Sequence, residues 1–170
     1  MRKLLVLLAA AMAVAAVAVT GASAASGNPH FIKNATSASL SGADLVCTFK
    51  EAGLASGAVE TVSCNATENV TYECVNGGGK NPSASNKKTF ATTVSKSGTF
   101  TADKNGNIVG TLTLSPASAS SLGFSCPPGQ TVTFVGVTYS NISVTDVTSG
   151  ASIALPGTFS FTNPSAPPVR

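Results

Sequence analysis

Apolar residues in this chain recur at every second position, in short runs, and nowhere at sustained helical spacing. Ile108, Gly110, Leu112 and Leu114 share one parity, with Val109, Thr111 and Thr113 on the other. Val70, Tyr72 and Cys74 fall on one face, as do Phe90, Thr92 and Val94. Successive side chains of a strand point to opposite faces, so this alternation marks half-buried strands and conflicts with an amphipathic helix. Gly, Pro and Asn close the runs. Strands are expected near 45–50, 59–66, 70–75, 89–95, 99–102, 108–114, 131–139, 142–147 and 152–162. The last contains Pro156-Gly157, which predicts a kink or turn inside it. After Cys126 the apolar parity changes: Val132 and Phe134 lead, then Val135, Val137 and Tyr139. Gly136 beside that switch predicts a β-bulge.

About eight short strands with polar turns predict an all-β fold, a two-sheet antiparallel sandwich of immunoglobulin-like topology. A small closed barrel is the alternative. Two long connections interrupt the pattern. One opens at Gly77-Gly78-Gly79-Lys80 and runs to about Lys88, and the other spans Pro116 to Pro128.

The N-terminus predicts the compartment. Arg2 and Lys3 precede an apolar run from Leu4 to Val19, and Ala22-Ser23-Ala24 supplies small residues at the −3 and −1 positions of a cleavage site. That layout is a secretory signal peptide over residues 1–24; the competing reading, an uncleaved membrane anchor, needs a longer apolar run. Residues 25–39 are then expected to form a flexible N-terminal segment, 40–162 the β-sandwich domain and 163–170 a Pro-rich tail that frays. Loss of Arg2 and Lys3 leaves eight basic against seven acidic residues, and the remaining lysines are scattered. A concentrated basic face is absent, so nucleic acid is not an expected partner, nor is a membrane once the leader is removed.

All four cysteines, Cys47, Cys64, Cys74 and Cys126, lie beyond the leader, which in an extracellular domain implies two disulfides. An antiparallel register pairing Leu45 with Ala66, Cys47 with Cys64 and Phe49 with Val62 puts apolar residues on one face and favours Cys47–Cys64 with Cys74–Cys126. A turn at Glu68-Asn69 would instead pair Cys64 with Cys74 and leave Cys47–Cys126. The spacing lacks C-x-x-C and no histidine is close in sequence, so the bonds read as structural staples rather than a redox or metal site.

Catalytic chemistry finds little to work with. His30 is the only histidine, which removes Ser-His-Asp and Cys-His arrangements unless it serves. Asp103-Lys104-Asn105-Gly106-Asn107 offers alternating oxygen ligands, but its Gly comes at the fourth position. An Asn-Gly hairpin turn between flanking strands accounts for it better than a calcium loop. Gly77–Lys80 lacks phosphate-loop spacing. The acids Asp44, Glu51, Glu60, Glu68, Glu73, Asp103 and Asp146 are dispersed, and Glu60 and Glu73 are expected in solvent. There is no Trp, and Tyr72 and Tyr139 are the only tyrosines, which weakens a carbohydrate-stacking reading. N-x-[ST] triplets stand at Asn34, Asn65, Asn69 and Asn141. No catalytic, cofactor or metal residue is assigned.

The stretch from FKEAGL (49–54) through YECVNGGGKNPSASNKK (72–88), the KNG turn and CPPGQT (126–131) is similar to a group of short exported actinobacterial proteins; this likeness implies no functional residue. LSGADLVCTF (40–49) and TADKNGNIVGTLTL (101–114) resemble the strand and hairpin pattern of the neocarzinostatin-type apoproteins, secreted two-disulfide carriers of a small chromophore. That resemblance implies a fold only.

The expected function is a secreted, non-enzymatic interaction or structural domain, with an extracellular protein or small molecule as partner. Its disulfide-tied loops, Lys80–Lys88 and Ser118–Gly129, would form the contact surface. A small-molecule carrier is the alternative, with a cleft between the sheets lined by some of Phe90, Phe100, Phe134 and Tyr139. A protease inhibitor presenting the loop at Cys126-Pro127-Pro128 is the third.

Overall fold

The computed structural model describes residues 27–77 and 86–167. The signal-peptide reading of residues 1–24 and most of the Gly-rich loop therefore lie outside the described residues. Two antiparallel sheets pack face to face, as the alternation predicts. The first is built on β3 (Asp44–Ala52), flanked on one side by β6 (Ile108–Leu114) and on the other by β1 (His30–Phe31) and β2 (Ser37–Ser41). In the second, β4 (Val59–Asn76) lies between β5 (Lys87–Thr101) and β7 (Gln130–Asp146), and β7 also pairs with β8 (Ser152–Leu155) and β9 (Phe159–Thr162).

Alternation carries the core. On β3, Leu45, Cys47 and Phe49 point inward; on β6, Ile108, Leu112 and Leu114 do so, while Val109 is 71% exposed on the far face. From the opposing sheet come Val62, Cys64, Ala66, Val70 and Tyr72 of β4, and Val137, Tyr139, Ile142 and Val144 of β7. Phe49 meets Phe31 and Phe100 edge-on, with centroids 6.0 and 5.1 Å away. Gly110 makes room for that cluster: a Cβ there would come within 2.5 Å of both Phe49 and Phe100.

Three pairs of expected strands are single continuous ones. β4 runs straight through Glu68-Asn69, with no turn there, because Glu68 points into the interior rather than toward solvent. β5 runs through Lys96-Ser97-Gly98, where the missing Gly98 side chain leaves space for Phe100 and Leu112. β7 continues through Ser140-Asn141 by a bulge: Ala66 of β4 faces both Asn141 and Ile142, and Asn141 takes the left-handed conformation with φ 50°. The second irregularity of β7 is the one expected near Gly136. Thr71 pairs with Gly136 and Tyr72 with Phe134, leaving Val135 as the extra residue. The run from 152 to 162 is split at Pro156-Gly157 into β8 and β9, also as expected.

Residues 30–41 depart from the flexible segment assigned to 25–39. β1 and β2 are two halves of one edge strand against β3, separated by a short 3₁₀ turn at Lys33–Ala35. Thr36 fastens the break: its hydroxyl donates to the Ile32 carbonyl at 2.9 Å and accepts from the Lys50 amide at 3.3 Å. The turn interrupts the period of two, which is why the alternation did not reveal the strand. The start of the tail is also held, since Asn163 donates from its amide to Val135 O and from Nδ2 to Phe134 O, both at 2.8 Å.

The disulfides are Cys47–Cys64 and Cys74–Cys126, with Cα separations of 6.3 and 5.6 Å. The favoured pairing is correct, but its supposed register is not: β3 and β4 belong to opposite sheets, so Cys47–Cys64 crosses the core as a strut. Likewise, Asn105-Gly106 does not close a paired hairpin. Asp103–Asn107 form the turn, with Gly106 at φ 73°, and carry the chain from β5 in one sheet to β6 in the other.

Candidate functional site

The 115–129 connection is tied to β4 by side-chain hydrogen bonds and a disulfide. Glu68, fully buried on the inner face of β4, accepts the Ala117 amide with both carboxylate oxygens, at 3.1 and 3.2 Å. Tyr72 donates its hydroxyl to the Ala117 carbonyl at 2.8 Å. Burial pushes the Glu68 carboxyl above its ordinary range, and the Ala117 N–H pulls it back down. Further along, Ser121 Oγ donates to Ser118 O and the Phe124 amide to Ala119 O, each at 2.8 Å, closing a compact turn. Phe124 stacks on Tyr72 at 6.1 Å and meets Phe90 edge-on at 5.8 Å. Cys126, bonded to Cys74 of β4, fixes the far end. Held at both ends and in the middle, the loop turns Ser118, Ser120, Ser121, Gly123, Ser125, Pro127 and Pro128 outward.

A groove of about 510 Å³ lies elsewhere, between the two broken edge strands. Lys33, Thr36 and Ala38 line one wall, and Ile153, Leu155 and Pro156 the other. None of the aromatics expected to line a cleft is part of it. Tyr139 is fully buried with its hydroxyl donated to Ala43 O at 3.0 Å, and Phe100 packs on Phe49. Phe134 packs against Tyr72 and Phe161, and Phe90 against Phe124.

The outer face of the larger sheet is rich in hydroxyls. Cross-strand pairs link Thr71 to Thr89, Ser63 to Ser95, Thr138 to Ser160 and Thr145 to Ser152 at 2.8 to 3.0 Å. These pairs satisfy one another and suit the exposed pleat.

The acids are not where their spacing placed them. Glu60 has the parity of Val62 and Cys64 and is buried with them, and Glu73, on the opposite face, is buried as well. Glu51, at the end of β3, and Asp146, at the end of β7, converge with Glu60 at one pole of the sandwich. Their residue exposures are 0%, 6% and 0% for Glu51, Glu60 and Asp146. Ser149 donates its hydroxyl to Glu51 at 3.2 Å, and the Thr148 amide donates to Asp146 at 2.8 Å. Neither distance along the sequence nor composition brings these three together; only shared inward parity at strand ends could have pointed to them. Among the described residues no group of three ligating side chains is arranged to hold a metal ion.

His30 is exposed, its ring Nδ1 2.7 Å from Asn28 O. Asp103 is a turn residue whose Oδ1 accepts the amides of Asn105 and Asn107 at 2.8 and 2.9 Å, and these bonds hold its carboxyl below its usual range. No helix among the described residues is long and apolar enough to cross a membrane. What fold and surface define is a doubly disulfide-bonded β-sandwich carrying one pinned loop. No family model, curated protein or solved structure matches this chain.

Proposed function

We propose that this protein is a secreted, non-enzymatic binding or structural domain, of immunoglobulin-like arrangement, whose 115–129 loop is its contact surface. Two disulfides and the secretory layout of residues 1–24 support an extracellular setting. The order β1/β2–β3–β6 against β5–β4–β7–β8/β9 supports the immunoglobulin-like arrangement.

One observation carries the reading. A buried carboxylate, a buried phenol and a disulfide all serve to hold Ala117 and Cys126, while the loop's small polar side chains and Pro127-Pro128 face out. A loop immobilised before it meets a partner loses little conformational freedom on binding, so its contacts contribute more fully to affinity. Protein partners fit such a surface, including a protease whose cleft would receive the segment around Pro127.

The test is an alanine scan of Ser118–Gly129, alongside Lys80–Lys88, in pull-downs from the native culture medium and in assays against secreted serine proteases. Loss of a partner on substitution of exposed loop residues, with unchanged unfolding midpoints, is the expected result. Retention of every interaction across both segments would reject the reading.

The groove between the edge strands favours a second reading, a small-molecule carrier, since its volume is that of ligand pockets and its walls mix Ile153, Leu155 and Pro156 with Lys33. Native mass spectra of protein from its own medium separate the two: an added small-molecule mass supports the carrier, a bare chain the binding domain.

A further inference from the structure

The three carboxyls at the pole raise a problem that the proposed function does not use. Glu51 comes from one sheet, Glu60 and Asp146 from the other, and Asp146 lies within hydrogen-bond reach of both glutamates. Glu51 Oε2, Glu60 Oε2 and Asp146 Oδ2 are buried and have no other hydrogen-bond partner. Two carboxylates cannot hydrogen-bond to each other without a proton between them, because an ionised carboxylate only accepts. The chain Glu51–Asp146–Glu60 therefore needs a shared proton at each of its two contacts.

Among the described residues no basic group supplies an alternative. The charged groups acting on Glu51 are Asp146 and Glu60, and on Glu60, Asp146 alone. Lys50, next to Glu51 on β3, acts on Asp103 instead, and His30 of β1, whose backbone pairs with Ala52, turns its ring to Asn28 O. From the turn after β7 come only the neutral donors Thr148 and Ser149.

We propose that Glu51, Asp146 and Glu60 form a proton-sharing carboxyl chain, a latch that ties the β7–β8 turn to both sheets in acid and releases it when the protons leave. The turn depends on the latch directly. Asp146 holds the Thr148 amide, Glu51 holds Ser149, and Thr148 in turn accepts the Thr61 amide at 3.0 Å. Deprotonation would leave like charges in contact inside the sandwich, and the exposed turn 147–150 is the element free to move away.

The pH range follows from the environment. Burial, then the Asp146 charge, pushes Glu51 from 4.5 to about 7, and the same two causes raise Glu60. A carboxyl whose folded pKa is raised stabilises the fold fully below its unfolded value and loses that contribution as pH rises through the folded one. The Glu51 contact of the latch is thus closed near pH 4.5 and open above about 7.

The experiment is urea unfolding of the intact chain from pH 4.5 to 8.5 for the wild type and Glu51→Gln, with ¹³C-detected titration of Glu51 and amide exchange over 147–151. The wild-type folding constant should fall by up to about tenfold per pH unit for each shared proton as pH rises toward 7. Glu51→Gln should flatten that slope and exceed the wild type in stability at pH 8. Amide exchange in the turn should rise with pH in the wild type only. Parallel profiles for the two proteins, or a Glu51 midpoint near 4.5, would overturn the latch. So would recovery of acid-level stability at pH 8 on adding millimolar calcium chloride, which would assign the carboxyls to a divalent cation. Should Glu51→Gln not fold, the wild-type midpoint decides alone.

Discussion

Glu68 and Gly110 show how single side chains set the geometry around them. Glu68 interrupts an apolar face of β4, which made a turn at Glu68-Asn69 a reasonable expectation; its real task is to accept a backbone amide from a loop nearly fifty residues away. Nothing local in the sequence encodes that partner. Removing the acceptor in Glu68→Ala leaves the half-buried Ala117 N–H without its partner and should cost about 1–3 kcal/mol in urea unfolding. Glu68→Gln keeps a carbonyl acceptor and should cost clearly less. Gly110, in contrast, was legible as an inward position of β6, though not the reason for it. With two phenyl rings within 2.5 Å of where a Cβ would stand, Gly110→Ala should lower stability by about 1–3 kcal/mol, read from the same unfolding curves. The carboxyls of the pole were the least legible residues. Glu60 shares the parity of Val62 and Cys64, but an acid at an inward position is ordinarily discounted because an unpaired buried charge is costly. The proton chain removes that objection only once Glu51 and Asp146 are seen beside it.

At the scale of elements, periodicity identified where strands exist and misplaced where they end. β6 was legible to its bounds, and both the bulge near Gly136 and the break at Pro156-Gly157 were signalled by parity and by residue type. The strands of β4, β5 and β7 were cut short because an inward Glu68, a Gly98 and a parity change at Asn141 each imitate a turn. A bulge shifts parity without ending hydrogen bonding, so a sequence alone cannot separate the two. Asn141 provides the test. Its φ of 50° is tolerated by Asn and Gly but disfavoured for other residues. Asn141→Gly should leave the unfolding midpoint nearly unchanged, whereas Asn141→Val should cost about 1–2 kcal/mol, the penalty for a left-handed residue. The Asn105-Gly106 signal was read rightly as a turn and wrongly as a hairpin, since turn chemistry fixes a reversal of the chain but not which sheet receives it.

For the molecule as a whole, the two disulfides divide their work. Cys47–Cys64 closes a short separation of 17 residues through the centre of the core, and Cys74–Cys126 closes one of 52 and anchors the exposed loop. Replacing Cys74 and Cys126 together by Ala should cost about 4 kcal/mol by the chain-entropy relation. Amide exchange should then rise over 115–129 while the β3–β6 pair stays protected, which would separate loop order from global stability. The pairing was legible through the shared apolar face of the first two cysteines; the crossing of the sheets was not, because strand adjacency and sheet opposition both place two inward residues together.

The interrupted edges carry a consequence for behaviour in crowded solution. An open sheet invites a neighbour to add a strand, and long flat edges template fibrils. Here the flank formed by β1/β2 is broken by the 3₁₀ turn and that of β8/β9 by Pro156-Gly157, so neither offers more than five paired residues in a row. Two borders are unbroken: β5, which carries Lys87, Lys88 and Lys96, and the seven-residue β6. A second molecule zipping along the β1/β2, β8/β9 or β5 border would meet a missing amide, a kink or an ammonium group within a few residues. Along those three borders punctuation, beside a formal net charge of +3 for the whole chain, discourages a copy from adding its strand.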